Sequence, residues 1–577
     1  MLLIKNIFKF LDKTEKTRFY YLMLIVFISM ILETISIGAI IPVLTSVFNQ
    51  GVEEKWFFLD RIFVEMGYEE KNSQIIFAGI FMALVFLLKN IFLSYLLWFQ
   101  QKFIFDLQAN LSFKMFRGYL NQEYEFHLLN NSAQLIRNVT TEVTAFITVV
   151  NASVLIIADT IIFVALIILI TYVDFWMATI VLGLLAGSGY LFYVNIKKYN
   201  TSWGEKRQLH EGKRIQYVQE GLGSIKNIIL LGRINESTER YEKSNKLYSE
   251  VARNQAVGQQ VPKFFFETLA IVLIISVILF SITMNHSINS TLFTLSIFGA
   301  AGYRLMPLVT RIVANVQTLR FFKPVIPILN RIDRNIIQYR ESKDDSINKN
   351  QINFNNLIEI KNVDFSYSGS DRKALTNVSL KIPKGSTIGI EGPSGAGKST
   401  LVDIILGLLK TSSGQIMVDG IDINNNISSW QKLIGYVPQT IYLSDDTLAR
   451  NIALGIKDEN INYKLLDKAI KVSQLNELLN ELKDGYDTYL GERGLRLSGG
   501  QRQRVGIARA IYNEPEVLVF DESTNSLDGK TEKEFMKEIY NLQNNKTIII
   551  ISHKKSIIEN CEYIYSLNNG RLSENKV

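Results

Sequence analysis

The sequence has little of what builds disulfide frameworks or zinc sites. Its 577 residues include one cysteine, Cys561, and only four histidines. A single cysteine excludes an internal disulfide, and no Cys/His cluster is present that would form a structural zinc site. Charged residues make up 20% of the chain against 47% hydrophobic residues, and the long apolar runs all precede about residue 320. We therefore expect at least two domains, of which the first lies in a membrane.

The formal net charge of +7 superficially allows a nucleic-acid partner. With several hydrophobic spans present, the simpler interpretation is that Lys and Arg are retained on the cytoplasmic side, close to anionic lipid headgroups. Met1 to Thr17 interleaves apolar residues with lysines, which is typical of an amphipathic helix on the membrane surface. We expect membrane lipids as partners and no nucleic acid.

Six apolar segments are long enough to cross about 30 Å of hydrocarbon as helices. The basic residues concentrate in the stretches 100–142 and 194–262, so both termini are expected in the cytoplasm. The predicted spans are Tyr20 to Phe48, Ile75 to Phe99, Val143 to Tyr172, Phe175 to Tyr193, Phe264 to Thr283 and Leu292 to Val316.

The two basic stretches contain many helix formers and are predicted to continue the spans into the cytoplasm as long helices. Gln122 to His127 and Glu220 to Lys226 lie at their tips and are candidate coupling helices, although a plain turn between helices is the alternative. The outward loop from Gly51 to Ser73 carries a helical apolar stripe. It forms either a helix on the outer membrane face or a cap over the bundle.

Several charged side chains fall inside or beside the apolar spans, where each needs a cavity or a partner. Two interpretations stay open, namely acid–base pairs that fix helix packing and a transport pathway. The bases outnumber the acids, so at least one positive charge is expected to meet an anion such as a phosphate or diphosphate headgroup. The acids are Glu33, Asp159 and Glu267, and the bases, which are the candidate substrate residues, are Lys89, Lys263, Arg304 and Arg311.

After a polar linker, short apolar strands alternate with helices, which predicts a mainly parallel α/β domain. A glycine-rich loop follows the strand Ile388 to Ile390 and precedes a helix, as a P-loop requires. Its glycines let the backbone wrap phosphates, its lysine neutralises them, and the Ser399 hydroxyl binds Mg²⁺. The loop residues predicted to bind ATP are Gly392, Ser394, Gly395, Gly397, Lys398, Ser399 and Thr400.

Two adjacent acids end a later apolar strand, Val517 to Asp521. Asp521 is suited to hold the magnesium shell, whereas Glu522 is the predicted catalytic residue that orients or deprotonates the attacking water. The alternative for Glu522 is a surface carboxylate at a strand end.

Further motifs resemble those of the ABC transporters. Leu497-Ser-Gly-Gly-Gln501 resembles the family's signature, and Thr488 to Gly494 is similar to the X-loop of exporters. The resemblance implies a γ-phosphate contact for the signature, adenine stacking for an aromatic, and a switch role for a histidine. It adds these residues to the predicted ATP, magnesium and catalytic set: Tyr367, Gln439 (also a magnesium ligand), Ser498, Gly499, Gly500, Gln501, Asp528 of the D-loop and the catalytic His553.

The resemblance implies an all-α six-helix transmembrane domain of the ABC exporter type, at 1–335, and a linker at 336–356. An α/β P-loop nucleotide-binding domain follows at 357–577. In that family each ATP lies between the P-loop of one subunit and the signature of the other, so a homodimer is implied and a heterodimer stays open. The implied activity is ATP hydrolysis with Mg²⁺ that drives transport, at a bacterial inner membrane, with the nucleotide-binding domain in the cytoplasm.

Glu33 to Pro42 and Tyr303 to Pro307, with Arg311, resemble the lipid-linked oligosaccharide flippase of bacterial N-glycosylation. This resemblance implies a polyprenyl-diphosphate-linked glycan as substrate. Lysine at 89 and 263 keeps the charge where arginine is expected, but it loses the bidentate fork. The alternative is an exporter of a peptide, a lipid or a drug-like amphiphile. Two alternatives belong to other functional classes. The predicted membrane spans argue against a soluble ATPase acting on DNA or ribosomes, and the predicted catalytic Glu522 argues against an ATP-gated channel.

Overall fold

A computed structural model describes residues 8–47, 70–173, 175–283, 288–332, 351–522 and 546–575, with a few isolated positions between them. Most of the predicted outer-face helix, Asp528 and most of the predicted linker lie outside the described residues. The chain divides into two compact units, one of Met1–Gln122 and Asn130–Gln338, the other of Glu123–Leu129 and Tyr339–Val577. The borders predicted at residues 335 and 357 stay predictions.

The first unit consists of helices, most of the chain lying in long ones, because a helix pairs every backbone N–H and C=O within an apolar segment. Glu15 supports the start of the first helix, since its Oε2 accepts a hydrogen bond of 2.8 Å from the Asp12 backbone N–H. The helices are α1 (Lys13–Gly38), α2 (Ile40–Val47), α3 (Lys71–Leu120), α5 (Ser132–Arg137), α6 (Val143–Val173), α7 (Phe175–Gly223), α8 (Ile225–Leu230), α9 (Ile234–Thr283), α10 (Ile288–Phe322) and α11 (Val325–Ile332). A π-helical turn, Asn138–Glu142, joins α5 to α6, and α4 (Tyr124–Leu129) belongs to the second unit.

Four helical segments within the described residues are long and apolar enough to cross a membrane. A fifth is obtained if Gly302–Phe322 and Val325–Ile332, which are bent by 51°, count as one span. The six predicted spans therefore stay a prediction in number. A buried apolar cluster, including Ile37 of α1, Leu166 of α6 and Leu305 of α10, holds three of these helices together.

The second unit contains two sheets. One has the strand order β2-β1-β4-β5 and is antiparallel; the other has the order β10-β9-β3-β8-β7-β6 and is parallel except at β10. The strands are β1 (Leu357–Phe365), β2 (Leu375–Pro383), β3 (Thr387–Glu391), β4 (Ser413–Val418), β5 (Ile421–Asp422), β6 (Ile434–Val437), β7 (Val517–Asp521), β8 (Thr547–Ile551), β9 (Tyr563–Asn568) and β10 (Arg571–Asn575).

The helices of the second unit pack into three apolar cores, one of which joins Ile507 and Ile557 to the sheet. A second core contains the fully buried Trp430, whose indole N–H donates to the Ile405 carbonyl at 2.8 Å. The third, around Leu448, Leu466 and Val505, belongs to a helical subdomain between β6 and β7. The helices are α12 (Lys398–Ile405), α13 (Ile427–Lys432), α14 (Leu448–Ile452), α15 (Tyr463–Val472), α16 (Asn476–Glu481), α17 (Gly499–Tyr512) and α18 (Lys555–Ile558).

Strands β3, β8, β7 and β6 are neighbours and parallel, so their carboxyl ends meet at one edge of the sheet. The P-loop follows β3, His553 follows β8, Asp521 and Glu522 end or follow β7, and Gln439 follows β6. Ligands of open α/β sheets bind outside this edge. The topology therefore brings together four predicted motifs that are spread along the chain from Gly392 to His553.

Candidate nucleotide-binding site

The P-loop conformation depends on glycine at two positions. Gly392 and Gly397 have φ values of 156° and 103°, which side chains rarely tolerate. A Cβ on Gly392 would lie 2.2 Å from the Leu567 carbonyl oxygen, and one on Gly397 would lie 2.7 Å from that of Ala374. The loop can therefore wrap closely and deliver the chain into α12 only with glycine at these places.

The loop borders a cavity of about 400 Å³. Most of the predicted ATP-binding residues line it, together with some that the sequence analysis did not single out. The predicted ATP-binding residues are Tyr367, Ser394, Gly395, Gly397, Lys398, Ser399, Thr400 and Gln439, and the others include Arg372, Lys373, Asn569 and Gly570. The predicted catalytic residue Glu522 also lines the cavity. Arg372 and Lys373 follow Tyr367 in a loop without a recognisable motif, so only the fold identifies them.

Lys398 is 8% exposed, and its Nζ donates to the carbonyl oxygens of Gly392 at 2.8 Å and Pro393 at 3.1 Å. The same Nζ lies 3.7 Å from Glu522 Oε1. The ammonium group is therefore held at the mouth of the loop, where a point charge favours phosphate oxygens.

Glu522 is the meeting point of three predicted motifs. Its Oε2 accepts a hydrogen bond of 2.9 Å from Gln439 Nε2, and its Oε1 lies 3.8 Å from His553 Nδ1 as well as near Lys398. Its backbone φ is 46°, a left-handed conformation that is uncommon for a residue other than glycine. Uncommon backbone conformations of this kind concentrate at functional sites. Glu522 is thus held in a fixed position beside the phosphate-binding loop and not on the open surface.

Asp521 is 8% exposed, and burial, followed by the neighbouring Glu522, raises the pKa of its carboxyl. A hydrogen bond from the Tyr436 hydroxyl and the charge of Lys398 oppose this rise in pKa. In the part of the chain that the structure describes, no cluster of three His, Cys, Asp or Glu side chains forms a metal cage. The predicted donors, Ser399, Gln439 and Asp521, are few and all oxygen, which fits Mg²⁺ held mainly through nucleotide phosphates and water.

Tyr367 packs edge-on against Phe365 at 4.9 Å between ring centroids, and its hydroxyl is 3.0 Å from Thr400 Oγ1. The predicted adenine-stacking ring therefore lies beside the P-loop helix. The backbone N–H of the next residue, Ser368, donates to Glu125 Oε1 at 2.8 Å. Glu125 belongs to α4, the first candidate coupling helix. Glu123 directly precedes this helix, and its Oε1 lies 2.5 Å from Lys410 Nζ. Both contacts lie within the second unit.

The signature residues stand apart from this cavity. Ser498 is the N-cap of α17; its hydroxyl accepts from Gln501 N at 3.2 Å, while Gln501 Oε1 accepts from Ser498 N at 2.8 Å. This reciprocal capping box leaves the helix N-terminus suited to an anion. None of Ser498, Gly499, Gly500 and Gln501 is among the cavity-lining residues, all of which the structure describes.

Charged side chains in the membrane unit are largely paired. Glu33 Oε2 lies 3.5 Å from Lys89 Nζ, and Glu33 Oε1 lies 3.5 Å from Arg304 Nη1. Arg311 Nη2 donates to Asp159 Oδ1 at 2.9 Å. Lys89 has no exposed surface, whereas the Arg304 and Arg311 side chains are 32% and 57% exposed. Ion pairing thus accounts for two of the three predicted acids, Glu33 and Asp159. Of their three basic partners, Arg304 and Arg311 remain accessible to solvent.

Lys263, the fourth candidate base, is exposed on α9, and so is Glu267 one turn later. The chain from Glu220 to Lys226, the second candidate coupling helix, forms the end of α7 and the start of α8. Leu222 and Ile225 in this segment are 69% and 48% exposed. An exposed apolar tip at a turn between long helices is typical of a surface that docks onto protein.

Comparison with known protein families matches two parts of the chain. Residues 22–301 match the ABC transporter transmembrane region, and residues 375–525 match the ABC transporter model. The chain is an ABC exporter half-transporter. It carries one membrane domain and one ATP-binding domain, so it is an ATPase whose hydrolysis is coupled to transport and generally uses Mg²⁺.

Relatives and a solved structure agree with this family. The exporter is 38% identical over 223 residues to an ATP-dependent lipid A-core flippase of Pasteurella multocida, an alignment that spans 38% of each chain. It is 28% identical over 474 residues to the protein of that name from Ralstonia nicotianae, covering 81% of this chain and 78% of that one. The structure of a bacterial Atm1-family ABC exporter with ATP bound superposes with a TM-score of 0.78 at 22% identity, over 98% and 95% of the two chains. The fold class is therefore confirmed, while the resemblance to the N-glycosylation flippase stays a prediction.

Proposed function

We propose that the exporter works as a homodimer that hydrolyses ATP to flip a lipid-linked oligosaccharide across a bacterial inner membrane. The separation of the signature from the P-loop cavity supports the dimer. One chain provides a phosphate-binding loop at one place and an anion-binding helix N-terminus at another, so two chains facing each other complete two sites. The accessible arginines of the membrane unit support an anionic headgroup.

ATP would lie in the P-loop cavity, with Tyr367 beside the adenine and Lys398 at the phosphates. Ser399, Gln439 and Asp521 would hold Mg²⁺, which supplies charge neutralisation at the phosphates when bound. Glu522 orients the attacking water and accepts its proton, with Gln439 and His553 fixing its carboxylate. Asp528 and the partner's signature complete the proposed site. Closure of the dimer's two nucleotide-binding domains would be transmitted to the membrane helices through α4 and the Glu220-to-Lys226 tip.

The charge balance in the membrane unit favours a phosphate or diphosphate cargo. Glu33 balances one of Lys89 and Arg304, and Asp159 balances Arg311, so the paired groups carry three positive and two negative charges. Arg304 and Arg311 are seven residues apart, which places them on one face of α10 about 10.5 Å apart along the axis. Both can meet phosphate oxygens with the guanidinium fork. We assign the headgroup contact to these two arginines and a supporting electrostatic role to the buried Lys89. Lys263, which is exposed on α9, adds a further positive charge.

A polyprenyl-diphosphate-linked glycan is the first candidate cargo, because the Glu33-to-Pro42 and Tyr303-to-Pro307 segments resemble those of the oligosaccharide flippase. Lipid A-core is the second, because that cargo is named for the relatives from P. multocida and R. nicotianae. Both combine a saccharide with a lipid anchor. A neutral or cationic amphiphile, in contrast, gains nothing from two accessible arginines.

The test is reconstitution into liposomes that contain either glycolipid, followed by measurement of ATP-dependent movement between leaflets. We expect flipping of the polyprenyl-linked oligosaccharide that is lost in Glu522→Gln. Arg311→Lys, which keeps the charge but loses the fork, should slow flipping about tenfold. Lys246→Gln, at an exposed ion pair on α9, is the matched control and should flip at the wild-type rate. Movement of lipid A-core alone would replace the first cargo by the second, and movement of neither would refute the proposal.

A further inference from the structure

The cytoplasmic part of the first unit contains an open cavity of about 570 Å³ that none of the motifs explains. It lies between α3, the π-helical turn, α6, α7, α9 and α10. Its walls combine threonine hydroxyls, two glutamine amides, aromatic rings and one ion pair, Arg207 with Glu211. Such a mixture of aromatic surface and convergent polar groups is typical of a binding site for a small polar molecule.

Arg207 is the positively charged residue of this cavity, and two of its three side-chain nitrogens lack hydrogen-bond partners. Its side chain is 5% exposed, and its Nη1 donates to Glu211 Oε2 at 2.6 Å. The other two nitrogens, Nε and Nη2, are buried and have no hydrogen-bond partner. Phe322 and Phe321 lie against the guanidinium, with ring centroids 4.8 and 5.8 Å from Cζ. The aromatic rings hold the group in place while its second donor edge stays unused.

The geometry of the unused edge indicates which ligand would satisfy it. Nε and Nη2 form the pair of parallel N–H donors that grips a carboxylate or phosphate bidentately. Leaving buried donors without partners costs free energy, so an anion that accepts from both is favoured. The groups that act electrostatically on Glu211 are Arg207, Arg214, Arg137 and Glu142, which with Glu211 itself makes three positive and two negative charges.

A row of threonines forms another wall of the cavity. Thr140, Thr144 and Thr148 are spaced by four residues, and each hydroxyl donates to the carbonyl four residues earlier at 2.9 Å. Because each hydroxyl proton is already engaged, the oxygens are available as acceptors. Gln108 Nε2 uses one of them, at Thr144, at 3.2 Å. The row therefore suits a ligand that donates O–H groups at successive positions, as a sugar does.

We propose that this cavity binds a sugar phosphate, with the phosphate on the Nε and Nη2 edge of Arg207 and the sugar hydroxyls on the Thr140, Thr144 and Thr148 row. The binding site itself follows from the cavity. Its use as a subsite for the transported glycan rests on the proposed function. A soluble sugar phosphate carries the same chemistry, so the experiment separates the two sources.

The experiment is equilibrium dialysis of radiolabelled glucose 1-phosphate against the full-length exporter in lipid nanodiscs. Arg207→Lys keeps the charge and loses the fork, and we expect it to weaken binding at least tenfold. Thr144→Val with Thr148→Val keeps the shape of both side chains, and it should weaken glucose 1-phosphate about fivefold while leaving inorganic phosphate unchanged. Arg233→Lys is the matched control, because Arg233 also binds a glutamate at 2.6 Å but is 66% exposed.

Thermal unfolding of each variant shows whether it folds, and the two threonine changes test the site independently if Arg207→Lys does not. Absence of binding to the wild type at millimolar concentration, or equal affinities of wild type and Arg207→Lys, would overturn the site. Equal binding of inorganic phosphate and glucose 1-phosphate would overturn the role of the threonine row. If lipid-linked oligosaccharide in the nanodisc displaces glucose 1-phosphate, the site binds the transported glycan. If glucose 1-phosphate stays bound, the natural ligand of the site is a soluble sugar phosphate. Failure of flipping with intact probe binding would refute the proposed function alone.

Discussion

Replacement of Glu33 by glutamine tests the ion-pair arrangement in the membrane unit. One carboxylate serves Lys89 and Arg304, each at 3.5 Å, and Lys89 has no exposed surface. At an effective dielectric constant of about 20, each contact corresponds to roughly 5 kcal/mol of Coulomb attraction before desolvation. Because Glu33→Gln strands the Lys89 ammonium in the interior, we expect a loss of about 3–5 kcal/mol in the free energy of unfolding.

The compensating change sharpens this test. Glu33→Gln combined with Lys89→Met removes both charges and fills a similar volume, and replacing a buried pair by neutral groups is often close to neutral. The double variant should therefore regain most of the stability that Glu33→Gln loses. The assay is reversible unfolding in mixed micelles by titration with sodium dodecyl sulfate. Glu242→Gln, which breaks the exposed pair with Lys246, is the control and should change stability by less than about 1 kcal/mol.

Two results would refute the reasoning. If Glu33→Gln is within about 1 kcal/mol of the wild type, Lys89 does not depend on this carboxylate. If the double variant is no more stable than Glu33→Gln, the loss comes from packing and not from an unpaired charge. The second result would also return Lys89 to the set of residues that contact cargo.

Three further predictions concern the second unit. Glu522→Gln should retain ATP binding but lower the ATPase rate by at least about a hundredfold, since the amide cannot accept the water's proton; Glu559→Gln, at the surface, is the control, and a wild-type turnover would contradict the role. Glu125→Ala should raise KM for ATP severalfold with kcat nearly unchanged, because the Ser368 N–H loses its acceptor beside Tyr367. Glu123→Ala is the control, and a wild-type KM for Glu125→Ala would contradict the prediction. Burial raises the pKa of the Cys561 thiol to about 12, so the thiolate forms only as the pH rises toward that value, and we expect no maleimide labelling of folded protein at pH 7.4; rapid labelling there would be inconsistent with the burial.

The nucleotide site could largely be predicted from the sequence, because each motif is local. A glycine-rich loop after an apolar strand, or an acid at a strand end, follows from a few consecutive residues. The identities of Lys398, Gln439, Glu522 and His553 needed no tertiary information. Their convergence on one carboxylate did, since it depends on the order of β3, β8, β7 and β6 in the sheet.

The charges of the membrane unit show the limit of sequence reasoning. The sequence identifies five charged side chains that are costly in lipid, namely Glu33, Lys89, Asp159, Arg304 and Arg311. Which acid pairs with which base depends on how α1, α3, α6 and α10 pack.

The Arg207 cavity was not predicted at all, because neither an arginine four residues before a glutamate nor threonines spaced by four form a motif. Local chemistry is encoded by neighbours along the chain, so the amino-acid sequence by itself determined the exporter's motifs and the nucleotide that they bind. The burial of Lys89, the unused edge of Arg207 and the distance of the signature from the P-loop were decided only by the tertiary structure, because each is a relation between residues far apart in the chain.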